Sequence, residues 1–404
     1  MSSTTLEAVR RPSLPARLVT RSRTLLAPAG WALLLLLVFV LWPHVSGDFG
    51  FDFKGTLWQP ARDILAGRSP YPAPTIGAID DGNPSVYPAP VLIAATPLGL
   101  LPFPVASAVW AFLLGVSLIG TLRLLGVRDY RCYGLVLLSY PALAGLVFGN
   151  LTILLVLGLA LAWRFRDRLW VVAVAVAALV VAKVFLWPLL IWLLATRRFR
   201  AAFAAAVGAA LALVLGWAAI GFAGLRTYPK LLSLVSDYYG PHTWSLFSGG
   251  VGLGLSSAAA ERAALAVGLA LLAVAVLLAS RPDGDRRAFT AATVAALALS
   301  PMVWTYYFTL LFVPIAVAKP RFGRLWALVP AFWVPALIHH PAATCCRPPG
   351  MPADVWKTLY SPPPTAQTIG YTLVLVVALV ACLRARRGLS RASAPDQPML
   401  VSPT

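Results

Sequence analysis

The chain has 404 residues, 59% of them hydrophobic and only 12% charged, with a mean hydropathy of +0.80. A soluble domain carries about twice that charged fraction, so water is excluded as the main solvent of this fold. The formal charge of +19 is broken into short basic clusters between apolar runs, without interleaved exposed aromatics, which argues against nucleic acid as a partner.

Within a bilayer every backbone polar group must be paired internally, which leaves helices or closed barrels. The apolar runs are long, rich in Leu, Ala and Val, and lack strict alternation. The predicted class is therefore an all-α polytopic membrane protein with about twelve transmembrane helices.

In chain order, a basic tail over 1–26 precedes the first apolar run. No small-residue cleavage site follows Trp42, Pro43 and His44, so 27–45 is predicted to be a retained span and not a signal peptide. The outer loop 46–102 carries Asp48, Asp52 and Asp63. Between Gly55 and Ala66 the residues Leu57, Trp58, Ala61, Ile64 and Leu65 recur with helical period. They predict an amphipathic surface helix with Arg62 and Asp63 toward water, ended by Gly67. Asp52 stands just before that helix, as a general base at the water–lipid boundary or as a helix cap.

The stretch 86–101 is apolar but interrupted by Pro88, Pro90 and Pro97, and predicts a re-entrant segment. Spans follow at 103–122, 131–148, 150–163, 169–182, 184–196, 201–222, 257–279, 288–302, 304–318, 323–339 and 367–383. Several are shorter than the roughly 20 residues of an ordinary crossing, which implies tilt, thinning or paired half-helices. With the N-terminus inside, 24 of the 33 Lys and Arg residues fall on the cytoplasmic face, in clusters such as Arg164–Arg166–Arg168 and Arg197–Arg198–Arg200. A full crossing at 86–101 would put the later clusters outside, against the positive-inside rule. Both termini are thus predicted to be cytoplasmic, with disordered tails at 1–26 and 385–404 and one membrane domain over 27–384. Its long outer loops are 46–102, 223–256 and 340–366.

Lys183 interrupts an apolar run at the outer end of two short helices. A lysine there needs a counter-charge or a water-filled cavity; a phosphate is one partner, and snorkelling is the alternative. Asn150, after Gly149, lies at the same level, as a polar contact or a cap. Ser300, Pro301, Trp304, Tyr306 and Tyr307 form a third group there, either a groove wall or an interfacial aromatic belt. The loop 223–256 contains Tyr238, Tyr239, His242 and a glycine run without the ending of a phosphate loop, and is expected to be flexible. His339–His340 and the cysteines, including Cys345 and Cys346, match no zinc spacing, so no metal and no cofactor is predicted.

Four pieces in order resemble glycosyltransferase family 87, of the GT-C type, over roughly residues 27–384. They are Asp52 through Gly67 to Tyr71; Tyr87-Pro88-Ala89-Pro90 before an apolar run; Gly149-Asn150 with Lys183 and the basic 197–200; and Ser300-Pro301 with Trp304. The resemblance implies an enzyme of cell-wall biogenesis, with its active site on the extracytoplasmic face of the plasma membrane. It would transfer mannose (as a hexosyltransferase) or arabinofuranose from a polyprenyl-phosphate donor to a lipid-anchored glycan or glycolipid. It implies Asp52 as base, with Asp48 as competitor. Lys183, with Lys54 and Arg62, supplies the cations for the donor phosphate. Tyr71, Tyr87, Asn150, Trp304, Tyr306 and Tyr307 are expected to line the sugar or lipid groove. Thr305, Tyr306 and Tyr307 stand where the family often has histidines, a departure from its mannose-specific pattern. The other classes considered are a secondary transporter or lipid-linked-saccharide flippase, and a non-catalytic envelope assembly protein. A transporter calls for internal repeats and midplane ionisable residues, and the sequence shows neither.

Overall fold

A computed structural model describes residues 49–80, 83–338 and 362–383. The predicted first span 27–45, both tails, Asp48, the histidine pair 339–340, Cys345, Cys346 and most of loop 340–366 lie outside the described residues. Among the described residues every regular element is helical.

Three helices are long and apolar enough to cross a membrane: Phe103–Leu124, Phe199–Ala219 and Ser257–Ala279. The stretch read as one span at 131–148 is two helices, Tyr130–Leu137 and Tyr140–Phe148, which meet at a 60° bend. Pro141 has no N–H for the carbonyl one turn back, and Ser139 is extended, so the helix ladder breaks there. Thr152–Arg164 and Leu169–Ala182 are shorter apolar helices. A 14-residue helix is about 21 Å long against a hydrocarbon core of about 30 Å.

Residues 86–101 form two short helices, Ala89–Ala94 and Thr96–Gly99, together far too short to cross. They fill space between longer elements. A side chain at Gly216 would put its Cβ 2.4 Å from the Pro90 ring, and one at Gly99 would meet Ala61 at 3.1 Å. Small residues let these backbones approach in the absence of a hydrophobic driving force in lipid.

The surface helix begins earlier than its amphipathic pattern implies. Phe51–Phe53, the π-helical Lys54–Trp58 and Gln59–Leu65 run on without a break, so Asp52 lies in its first turn and not before it. Leu57, Trp58 and Ala61 are buried, Arg62 is exposed, and Gly67 follows the helix at φ 68°. The loop 223–256, expected to be flexible, is largely helical: Tyr228–Tyr239, a 3-10 turn at Gly240–His242, and Leu246–Gly252. Hydrogen bonds fix it. Gln367 Nε2 donates to the Thr243 carbonyl at 2.8 Å and to Ser248 Oγ at 2.6 Å, and the Trp244 amide donates to the Val303 carbonyl at 2.7 Å.

At the predicted cytoplasmic end, Asp285 gathers three loops. Its Oδ2 accepts from Arg166 Nε at 2.7 Å and Arg198 Nη2 at 2.9 Å, and its Oδ1 from Arg198 Nη1 and Trp192 Nε1, each at 2.9 Å. Asp285→Ala leaves two half-buried guanidiniums short of their acceptor, and is expected to cost about 1–3 kcal/mol. A thermal unfolding midpoint in detergent equal to that of the wild type would contradict this.

Candidate active site

The helix carrying Asp52 is pinned at its first residue. Gly50, at φ 73°, donates its amide to the Val147 carbonyl at 2.7 Å. One turn on, Phe53 stacks on Trp110 with ring centroids 5.5 Å apart, and Trp110 Nε1 donates to the Gly149 carbonyl at 2.7 Å. The start of this helix is thereby docked on the end of Tyr140–Phe148. Gly149 closes that end at φ 69°, and a Cβ there would lie 2.8 Å from Phe53 Cβ. Gly149→Ala should therefore destabilise the fold by about 1–3 kcal/mol through backbone strain and displace Phe53 together with its neighbour Asp52. Melting and activity measured on the same preparation should both fall. A variant as stable as the wild type would refute the prediction.

Asp52 is half-buried and faces a cavity of about 90 Å³. Its Oδ1 accepts from Asn83 Nδ2 at 2.9 Å and its Oδ2 from Asn150 Nδ2 at 2.8 Å. The Tyr306 side chain lines the same cavity beside the carboxylate. Burial pushes the Asp52 carboxyl above the ordinary carboxylate range, while Asn150, Tyr306, Lys183 and Asn83 act in the opposite sense.

Lys183 enters the cavity where Leu169–Ala182 stops. The residue is extended (φ −146°, ψ 105°), so it leaves the helix and turns its side chain off the helical run. A 3-10 turn and then Pro188 start the next helix. Lys183 Nζ donates to the Tyr307 hydroxyl and lies 3.9 Å from the centroid of the Tyr307 ring and 5.4 Å from that of Tyr87.

The aromatic wall comes from the break after Gly284–Leu299. Pro301 disfavours helix at Ser300, whose hydroxyl donates to the Met302 carbonyl, and no helix resumes until after Trp304, itself extended. A 3-10 stretch, Thr305–Leu311, then presents Tyr306 and Tyr307. Tyr239 meets Trp304 edge-on across the opposite rim, with centroids 6.0 Å apart.

Asp52, Tyr87, Asn150, Lys183, Trp304, Tyr306 and Tyr307 thus all line one cavity. Lys54 and Arg62 do not. Both are exposed; Lys54 Nζ lies 5.5 Å from the centroid of the Phe103 ring, and the Arg62 guanidinium 4.9 Å from that of Trp58. Tyr71 is buried behind the wall, stacked on Trp217, and its hydroxyl donates to the Tyr87 carbonyl at 3.0 Å. It holds Tyr87 in place from behind the lining. Sequence reasoning passed over Asn83, Thr56 and Phe51, and it placed Tyr239 in a flexible loop. Nothing in the polar stretch around Asn83 and Pro84 distinguishes a ligand of Asp52 from a turn residue.

Asp52 is the one carboxylate among the described lining residues, and Lys183 the one cation. A lone carboxylate with a lone ammonium suits proton removal from a hydroxyl and charge stabilisation on a departing anion.

A family model for glycosyltransferase family 87 matches residues 86–305, more than half of the chain. The matched stretch includes Tyr87, Asn150, Lys183 and Trp304, whereas Asp52 lies before it and Tyr306 and Tyr307 just after. No curated protein and no solved structure matches the chain.

Proposed function

Because the chain belongs to glycosyltransferase family 87, and is therefore a membrane glycosyltransferase, we propose that it moves a sugar from a polyprenyl-phosphate donor to a hydroxyl of a lipid-anchored glycan. The observation that carries this reading is the approach of Asp52 and Lys183 to one cavity beneath an aromatic wall. The acceptor oxygen attacks the anomeric carbon while its proton passes to the Asp52 carboxylate. The bond from that carbon to the phosphate oxygen breaks as the new glycosidic bond forms. Polyprenyl phosphate leaves as a monoester, and the Lys183 ammonium takes up the charge that develops on it. Trp304, Tyr306 and Tyr307 supply faces for the sugar ring or the first isoprene units, with Tyr87 opposite.

The donor already carries a good leaving group, so the reaction calls for no nucleotide site and no metal. Direct displacement with a single carboxylate inverts the anomeric centre. The sugar is mannose or arabinofuranose. About twelve crossings with both termini in the cytoplasm put the cavity at the extracytoplasmic face of the plasma membrane. The basic clusters around Arg166, Arg198 and Arg286, a helix length away from Lys183, support that orientation.

The reading is tested with sealed membrane vesicles of both orientations, given labelled polyprenyl-phosphate mannose or polyprenyl-phosphate arabinofuranose. Transfer from one of the two donors is expected when the extracytoplasmic face is accessible. Transfer from neither, in either orientation, overturns the proposal.

A further inference from the structure

Two asparagines from distant parts of the chain bracket Asp52, one on each carboxylate oxygen. A side-chain amide can turn either end toward a neighbour, and at Asn150 Thr152 decides which. The backbone N–H of Thr152 can only donate, and it meets the Asn150 side chain at 2.9 Å, so the atom facing it is the oxygen Oδ1. The Thr152 hydroxyl donates to the same oxygen at 2.7 Å. The NH₂ end is left pointing at Asp52. Asn150 thus holds Thr152, the first residue of the Thr152–Arg164 helix, and addresses the carboxylate with the same side-chain amide.

On the other side, Asn83 reaches Asp52 because residue 55 has no side chain. A Cβ at Gly55 would lie 2.6 Å from the Asn83 carbonyl oxygen. The remaining groups facing Asp52 are the Lys183 ammonium and the phenols of Tyr306, Tyr87 and Tyr307. Only an ionised carboxylate accepts well on both oxygens at once, since a protonated one places an O–H against one of the two amide donors.

We propose that Asn83 and Asn150 are positioning residues that keep Asp52 ionised and fixed in one orientation, with Thr152 setting the direction of the Asn150 amide. The proposal rests on Asp52 being the base of the transfer. Burial alone drives the carboxyl toward its neutral form, which removes no proton, and two amide donors offset that tendency without adding a second cation to the site.

The test reads Asp52 directly. Purified protein is titrated by infrared difference spectroscopy, with Asp52→Asn as the subtraction that isolates its carboxyl band. Asn150→Ala and Asn83→Ala are each expected to raise the titration midpoint by about one unit. Thr152→Val keeps the backbone donor and loses only the hydroxyl, so it should raise the midpoint by less. In transfer assays the acid limb of kcat/KM should move up by the same interval. Asn83 sits on a loop, so Asn83→Ala keeps the test available should Asn150→Ala fail to fold. Unchanged midpoints in the asparagine variants overturn the proposal. Raised midpoints in a protein that transfers no sugar leave the asparagine roles standing and remove the transferase mechanism instead.

Discussion

Asp52→Asn is expected to lower the transfer rate by about 10²–10⁴-fold while the protein stays folded. The substitution conserves shape and removes only the ability to take a proton. Asn83 and Asn150 would then face an amide, which still offers one acceptor oxygen, so the local packing through Phe53 and Trp110 should survive. The rate in the wild type should carry an acid limb above the ordinary carboxylate range, because burial raises the Asp52 carboxyl. The sign follows directly. The base works when ionised, so its contribution is present above the raised value and is lost as pH drops through it. A variant that keeps wild-type activity, or an acid limb at the ordinary value for an aspartate, would remove Asp52 from this role.

The second large effect is at Lys183. Lys183→Ala should lower kcat by about 10²–10³-fold, the usual cost of losing a charge-stabilising donor aimed at a developing anion. Lys183→Arg should restore little of it. The ammonium is a point charge that also hydrogen-bonds the Tyr307 hydroxyl, and a planar fork on a longer stem cannot keep that contact and the same position. A lysine that merely snorkelled would give another pattern, with kcat nearly unchanged in both variants. Steady-state kinetics on the two variants, with melting as a control for folding, separates these outcomes.

Much of the site was legible because its residues break local rules. A lysine inside an apolar run is costly, and that cost alone marked Lys183 as needing a partner. The alternation of spans put Ser300 to Tyr307 at the outer end of a helix pair, although the predicted span 288–302 ran past Leu299, where Ser300-Pro301 stops the helix. Helix bounds agree closely where punctuation is strong: Leu169–Ala182 lies between Arg168 and Lys183, and Ser257–Ala279 begins at a serine cap. The bend between residues 137 and 140 was missed because Pro141 sits inside an otherwise unbroken apolar stretch, where composition continues although the hydrogen-bond ladder does not.

Direction was the part that sequence could not supply. Lys54 is close to Asp52 in the chain, but two residues of helix turn a side chain by about 200°, and Lys54 points away toward Phe103. Arg62 is nearly three turns along the same helix. Tyr71 reads as a groove aromatic, yet its hydroxyl is spent on the backbone of Tyr87. Asn83 is the converse case, an unremarkable polar residue that matters only because Gly55 lets its loop come close. The loop 223–256 looked flexible because its glycines and tyrosines lack an apolar period. Its order comes from contacts with Gln367 and Val303, remote in sequence.

The central claim is that one cavity, with Asp52 as base and Lys183 as cation, displaces polyprenyl phosphate from a sugar. The most direct measurement is the anomeric configuration of the product formed by purified protein from a labelled polyprenyl-phosphate sugar of known configuration. The expected result is a transferred sugar with its anomeric centre inverted, formed by the wild type and lost in Asp52→Asn. Retention of configuration would require a second nucleophile that this account lacks, and would contradict it.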